Sequence, residues 1–231
     1  MVAMQTNPDR AAARDAKERR SHRREAVREH AIARSPQGEK LIRAMSDDLA
    51  AINEYGHGGE RTRDLAKLLS EGVDNGVFFY QRRLGLRSTE DPIDLIAVMP
   101  SGIWIVDIQS CAGGRVEVAG KHGVMGGRYT HMLIRGRDRT TYLDRLTGQA
   151  QSVEETLEEL SRSDVPVHAV FCFYDADIRW RRTPEVGQAR LTTPQRLRSM
   201  LRKSPRVMSD IEVSAMAQAL GQRLPRQPLR D

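Results

Sequence analysis

Short apolar runs separated by Gly, Pro and Asn residues dominate the middle of the chain and predict a β-sheet. Strands are expected over residues 77–83, 93–99, 103–109, 115–119, 129–135, 167–174 and 189–192. Apolar residues at helical spacing predict helices over residues 39–54, 60–72, 146–161, 194–202 and 209–223. Helix, antiparallel strands, helix, strand and helix follow one another in this order. We therefore expect an α/β fold, a three-layer-like arrangement with a mixed β-sheet flanked by helices.

The N-terminal segment of the chain differs in composition from the rest. Residues 10–34 are rich in Ala, Arg and Glu, but they carry too few apolar residues for a buried helical stripe. We expect a charged helical N-terminal extension over residues 1–54, the main domain over 55–205, and a C-terminal helix with a basic tail over 206–231. The extension is either a solvated helix or an arm that orders on a partner, and it is a candidate for self-association.

The net charge of +6 is spread unevenly along the 231 residues. Residues 1–45 hold 11 Lys and Arg against 6 Asp and Glu, and residues 176–231 hold 12 against 5. The segment between them holds 14 against 20. Basic ends around an acidic centre suit a polyanion such as DNA held near a cation site, although solvated basic tails would give the same balance.

Several classes of protein are excluded by composition. Two cysteines, Cys111 and Cys172, allow neither a disulfide framework nor a Cys-rich zinc site. No apolar run approaches the roughly 20 residues of a membrane span, and the N-terminus has no apolar signal segment. We therefore expect a cytoplasmic protein that does not enter a membrane.

The candidate chemistry lies in a predicted β-hairpin over residues 92–109. If Pro100 and Ser101 form a two-residue loop, Met99 faces Gly102, and counting outward places Asp94 opposite Asp107. A bulge at Gly102 would shift this pairing by one residue. Two carboxylates that face each other repel unless a cation or a proton lies between them.

Asp107 is unusual because apolar residues surround it on both sides in the sequence. A buried carboxylate needs a partner or a metal ion. Side-chain alternation places Gln109 on the same face as Asp107, so two acids and an amide would converge there. Mg²⁺ prefers such oxygen ligands. The alternative is that Asp94 is an ordinary strand-end acid and that Asp107 pairs with a nearby arginine.

These residues form part of an ordered signature that resembles the nuclease-related domain (NERD) family of the PD-(D/E)xK nuclease-like superfamily. The resemblance covers about residues 56–202 and rests on six pieces in order: Gly59-Glu60, Ile93-Asp94, Pro100-Ser101-Gly102, Val106-Asp107-Ile108-Gln109, Gly148-Gln149-Ala150, and the strand at 170–176. The resemblance implies a restriction-endonuclease-like core and metal-dependent phosphodiester hydrolysis in DNA.

Carried over residue by residue, the resemblance implies that Glu60 is the acid of the first helix. Asp94 and Asp107 would be the strand acids that bind Mg²⁺ or Mn²⁺. Gln109 departs from the family's pattern, because it occupies the position of the usual active-site Lys. A neutral amide can orient a water but supplies no charge, unless Lys121 or Arg115 supplies it from the next strand. The alternative is a catalytically weak or inactive module that binds nucleic acid or a protein partner.

Three further features complete the prediction. Glu60 also suits the first turn of a helix, where the macrodipole favours an acid without any chemistry. Gln149 lies on the apolar face of its predicted helix, where a polar side chain needs a partner, and it would point to the site or to a strand edge. Alternating arginines form a candidate phosphate-contacting row, or a charged edge strand, at Arg135, Arg137 and Arg139.

Overall fold

The computed structural model describes residues 57–84, 92–122 and 128–225, without the side chains of 57–60, 121–122 and 128–129. The predicted N-terminal extension, its helix over 39–54 and the end of the basic tail lie outside the described residues. The helices are α1 (His57–Ser70), α2 (Thr141–Glu159), α3 (Pro194–Lys203) and α4 (Asp210–Arg223). The strands are β1 (Val77–Arg82), β2 (Ile93–Met99), β3 (Gly102–Ser110), β4 (Arg115–His122), β5 (Arg128–Ile134), β6 (Arg137–Asp138), β7 (Val167–Tyr174), β8 (Asp177–Ile178), β9 (Glu185–Val186) and β10 (Ala189–Thr192).

The larger of the two described sheets has six strands in the order β1-β2-β3-β7-β10-β9. Strands β3, β7 and β10 run parallel, whereas β1, β2 and β9 pair antiparallel with their neighbours. The parallel step from β3 to β7 requires a crossover, and α2 lies within it. The predicted mixed sheet is therefore confirmed.

Helices cover both faces of this sheet. On one face, α1 and α3 pack together over a core that contains Leu65, Leu69, Leu197, Trp104 and Val106. On the other face, α2 contacts β3, β7 and β10, while α4 contacts β1 and β2. The three-layer α/β arrangement predicted from the sequence is confirmed. No described helix is both long enough and apolar enough to cross a membrane.

The hairpin between β2 and β3 has the two-residue loop that the sequence predicts. Met99 pairs with Gly102 and Leu95 pairs with Val106, so no bulge shifts the register. Gly102 has a φ of 123°, and a Cβ at this position would overlap the carbonyl oxygen of Pro166. The turn therefore requires glycine, which fixes the register of the strands that carry the candidate site.

A second, smaller sheet was not predicted. It has four strands in the order β6-β5-β4-β8, with β4 and β8 parallel. Strands β6 and β8 contain two residues each, which is too short for an alternation of apolar and polar residues to be visible. Only two residues separate the end of β6 from the beginning of α2, so the small sheet leads directly into this helix.

Candidate functional site

Asp94 and Asp107 lie on the face of the six-stranded sheet that α2 and α4 cover. Their neighbours Leu95 and Val106 belong to the core under α1 and α3, and strand side chains alternate between faces. The β2–β3 ladder runs from Met99–Gly102 to Leu95–Val106, and the next residues along it are Asp94 and Asp107. Continued by one residue, this register brings the two aspartates to neighbouring positions on the same face.

The carboxylate of Asp94 is held by donors from both neighbouring strands. Its Oδ2 accepts the backbone N–H of Ile108 at 2.8 Å, and its Oδ1 accepts the Nε2 of Gln81 at 3.0 Å. Gln81 lies in β1 between the paired residues Tyr80 and Arg82, and therefore opposite Asp94. Its φ of 51° is in the left-handed region, which costs a residue other than glycine about 1 kcal/mol or more. The chain thus adopts a strained backbone at the residue that contacts Asp94.

The pKa of Asp94 is raised from 3.8 to about 6. Burial of the carboxyl is the largest cause, and the negative charge of Asp107 is the second. The hydrogen bonds from Ile108 and Gln81 and the charge of Arg145 oppose this rise but do not cancel it. The two carboxylates are therefore close enough to repel each other, which is the electrostatic condition that a bound cation relieves.

Asp107 is 3% exposed and is paired with an arginine. An Nη2 group of Arg145, from the second turn of α2, donates to its Oδ2. The Nε2 of Gln109 donates to its Oδ1 at 3.0 Å. The alternative in which Asp107 pairs with a nearby arginine is therefore present together with the converging aspartates, and the two interpretations do not exclude each other.

The chemistry of this donor set fits a divalent cation, on the condition that the cation displaces Arg145 from Asp107. Two carboxylates and a neighbouring amide are ligands of the type that Mg²⁺ and Mn²⁺ bind. Among the described residues, no group of three or more His, Cys, Asp and Glu side chains is arranged to hold a metal ion. A cation here would complete its shell with amide oxygens and water, and it would compete with Arg145 for Asp107.

Glu60 and Gln149 have less direct relations to the two aspartates. Glu60 lies in the first turn of α1, on the helix that covers the opposite face, and its side chain is not described. The next residue, Arg61, pairs with Asp175 and lies 5.7 Å from the ring centroid of Tyr174, so this turn is at the end of β7. Gln149 is buried, one turn beyond Arg145 on the same side of α2.

The three arginines of the predicted phosphate row have different surroundings. Arg135 lies in the turn after β5, and its Nη2 donates to the carbonyl oxygens of Cys111 and Ala112. Arg137 is exposed on β6. The guanidinium of Arg139 lies 5.4 Å from the ring centroid of Tyr142. Of the three, Arg137 is the side chain for which no internal contact is described, and contact with a phosphate stays a prediction for the row.

Sequence reasoning missed Gln81 and Arg145. The sequence predicts a helix from residue 146, whereas α2 begins at Thr141 and includes Arg145. The usual helix-start signal is weak here because the hydroxyl of Thr140 does not cap the helix. It donates to Asp138 instead and accepts the N–H of Met132. Arg115, a predicted source of charge for the site, pairs with Asp177 and Glu117.

Comparison with known proteins gives one match. The family model described as "Nuclease-related domain" matches residues 55–174, which is more than half of the chain and includes Asp94, Asp107, Gln109 and Arg145. Neither a curated protein nor a solved structure matches. The match agrees with the resemblance predicted from the ordered motifs, and with it the chain belongs to the nuclease-related domain family.

Proposed function

We propose that this protein hydrolyses phosphodiester bonds in DNA with the help of Mg²⁺ or Mn²⁺ bound by Asp94 and Asp107. The observation that carries the proposal is the placement of these carboxylates on facing strands, where the charge of Asp107 raises the pKa of Asp94. Two acids kept this close, one of them buried, are costly for stability alone. Both aspartates lie in the segment that matches the nuclease-related domain, and metal binding in a nuclease site is a reason to keep two such acids together.

The side chains divide the work of hydrolysis. A bound divalent ion polarises a phosphoryl oxygen and lowers the pKa of an attacking water. Asp94 and Asp107 would hold that ion, with Asp94 oriented by Gln81 and by the N–H of Ile108. Gln109 orients a water through its amide. The water oxygen would form a bond to phosphorus as the bond from phosphorus to the sugar oxygen breaks, and one proton of that water would pass through solvent to the sugar oxygen.

A second candidate function is a module that binds nucleic acid with little or no cleavage. Two observations favour it. Gln109 supplies no positive charge where the family usually has Lys, and loss of one preorganised electrostatic group commonly slows a reaction by about 10²–10³-fold. In addition, Arg145 already neutralises Asp107, so that a metal ion must displace it.

Cleavage assays on the full chain separate the two candidates. Linear and supercoiled DNA are incubated with the protein, with and without Mg²⁺ or Mn²⁺, beside Asp107→Ala, Gln109→Lys and, as a control, Asp177→Ala, which removes an exposed pair on the small sheet. We expect ion-dependent cleavage that Asp107→Ala lowers by at least about 10²-fold and Asp177→Ala leaves unchanged.

Other outcomes decide against hydrolysis. DNA binding without cleavage by the natural chain, with cleavage gained in Gln109→Lys, would support the binding module. Absence of both binding and cleavage would remove both candidates.

A further inference from the structure

Arg145 is an accessible cation that reaches a buried anion. Its side chain is 39% exposed, whereas that of Asp107 is 3% exposed. Both carboxylate oxygens of Asp107 accept a hydrogen bond: Oδ2 accepts one from Arg145, and Oδ1 accepts one from Gln109. Of these two donors only Arg145 carries a charge, and it stands on a helix rather than on the strand where the family usually places its Lys.

We propose that Arg145 is the substitute cation of this site: it neutralises Asp107 before a divalent ion binds, and it contacts the DNA phosphate afterwards. This inference rests on the proposed function, because it assumes that Asp94 and Asp107 bind the ion. It assigns to Arg145 both a competition with the metal and a contact with the substrate.

The competition follows from the charges. A divalent ion at Asp107 and a guanidinium on its Oδ2 are like charges only a few ångströms apart, and a contact between such groups is unfavourable. The chain must therefore give up the Arg145–Asp107 contact, at least in part, when the ion binds. Removing Arg145 removes this cost and leaves two unbalanced carboxylates for the ion.

The contact with the substrate follows from the net charge of the site. Asp94, Asp107 and Arg145 together carry −1 when the acids are ionised, which repels a phosphodiester. With a divalent ion added the sum is +1, which attracts it. A guanidinium released from Asp107 has the planar pair of donors that binds two phosphate oxygens at once. Its exposure leaves it within reach of a ligand at the surface.

Of the two cations that the sequence offers for this role, Arg115 is differently placed, and the side chain of Lys121 lies outside the described residues. Arg115 is engaged with Asp177 and Glu117 on the small sheet. Arg139 precedes α2 and stacks over Tyr142. In the part of the chain that the structure describes, the ion pair of Asp107 is with Arg145.

The test measures Mn²⁺ affinity by calorimetry and DNA cleavage in parallel, on the full natural chain and on Arg145→Gln, Arg145→Lys and Arg139→Gln. We expect Arg145→Gln to bind Mn²⁺ about tenfold more tightly and to cleave DNA about 10²-fold more slowly. Arg145→Lys should bind Mn²⁺ like the natural chain and cleave at an intermediate rate, since it keeps the charge but not the paired donors. Arg139→Gln should match the natural chain in Mn²⁺ affinity.

The outcomes separate this inference from the proposed function. If the natural chain binds Mn²⁺ and Arg145→Gln binds it equally or more weakly, the substitute-cation role is wrong while the metal site stands. If Arg145→Gln cleaves as fast as the natural chain, the substrate contact is wrong. If neither the natural chain nor any variant binds Mn²⁺, the metal site of the proposed function fails, and the inference fails with it. The Mn²⁺ result applies whether or not DNA is cut.

Discussion

The carboxylates of Asp94 and Asp107 are both held by hydrogen-bond donors of the chain, but these donors differ in charge. Asp107 has the guanidinium of Arg145, whereas Asp94 has two neutral donors, Gln81 and the N–H of Ile108. Neutral donors stabilise an ionised carboxylate less than a charged partner does. Asp94 is accordingly the acid whose pKa burial and the neighbouring charge raise to about 6.

Asp94→Asn should stabilise the protein at neutral pH. A carboxyl with a pKa raised from 3.8 to about 6 must ionise at a cost in the folded state, so stability is lost as the pH rises between these values. Asparagine avoids this cost and can still accept the N–H of Ile108. We expect a gain of about 1 kcal/mol at pH 7.5, reduced from the full shift because Asp94 is partly exposed, and a gain near zero at pH 4. Urea unfolding without divalent ions measures it.

Asp138→Asn is the matched control because its sign is opposite. Hydrogen bonds from Thr140 lower the pKa of Asp138 to about 2, so its contribution to stability is present above 3.8 and is lost as the pH falls toward 2. The control should be less stable than the natural chain at pH 7.5. A destabilised Asp94→Asn at that pH would show that the ionised carboxylate is not under electrostatic stress.

At the scale of elements, the register of β2 and β3 decides whether the two aspartates meet. A slip of one residue would turn every side chain of a strand to the other face. The two-residue loop prevents this slip, and the loop depends on the left-handed backbone of Gly102.

Gly102→Ala should therefore destabilise the protein by at least about 2 kcal/mol, since a side chain at a φ of 123° is strained and its Cβ would overlap Pro166. Gly148→Ala is the control: its Cβ would meet nothing within 4 Å on the helix α2, and it should be neutral or stabilising by up to about 1 kcal/mol. Thermal or urea unfolding of both variants provides the measurement. Equal stability of the two would contradict the role given to the turn.

The strands and the contacts of the site differ in how far the sequence predicts them. The predicted bounds of β2, β7 and β10 agree with the observed ones. Strand ends are predictable because Pro and Gly residues and the run of apolar side chains act within a few residues of the chain. The two-residue loop alone predicts the register that carries Asp94 and Asp107 to neighbouring positions on one face of the sheet. By contrast, Arg145 reaches Asp107 across 38 positions of sequence, and Gln81 reaches Asp94 through an unusual backbone angle. Neither contact leaves a local pattern, so packing in three dimensions was needed to find them.

At the scale of the whole molecule, the basic residues of helix α3 are not on the face of the two aspartates. Helix α3 carries Arg196, Arg198, Arg202 and Lys203 without an acid, and it packs on the opposite face with α1. Arg137 lies instead in the segment that leads into α2, the helix of Arg145. DNA engaged at the proposed site should therefore depend more on Arg137 than on α3.

Salt-dependent DNA binding of Arg137→Gln and Arg202→Gln compares the two surfaces. Each phosphate contact that is lost should weaken binding and reduce the slope of log affinity against log salt by about 0.9. We expect this change for Arg137→Gln and a smaller one for Arg202→Gln, with fluorescence anisotropy on a short duplex as the readout. A larger effect at Arg202 would place the DNA on the α3 face and separate it from Asp94 and Asp107.

The most direct test of the metal site is an anomalous difference map from crystals of this protein soaked in Mn²⁺. We expect a peak in contact with carboxylate oxygens of both Asp94 and Asp107, with the guanidinium of Arg145 turned away from Asp107. Clear density for both side chains without a peak between them, and with Arg145 still on Asp107, would contradict it.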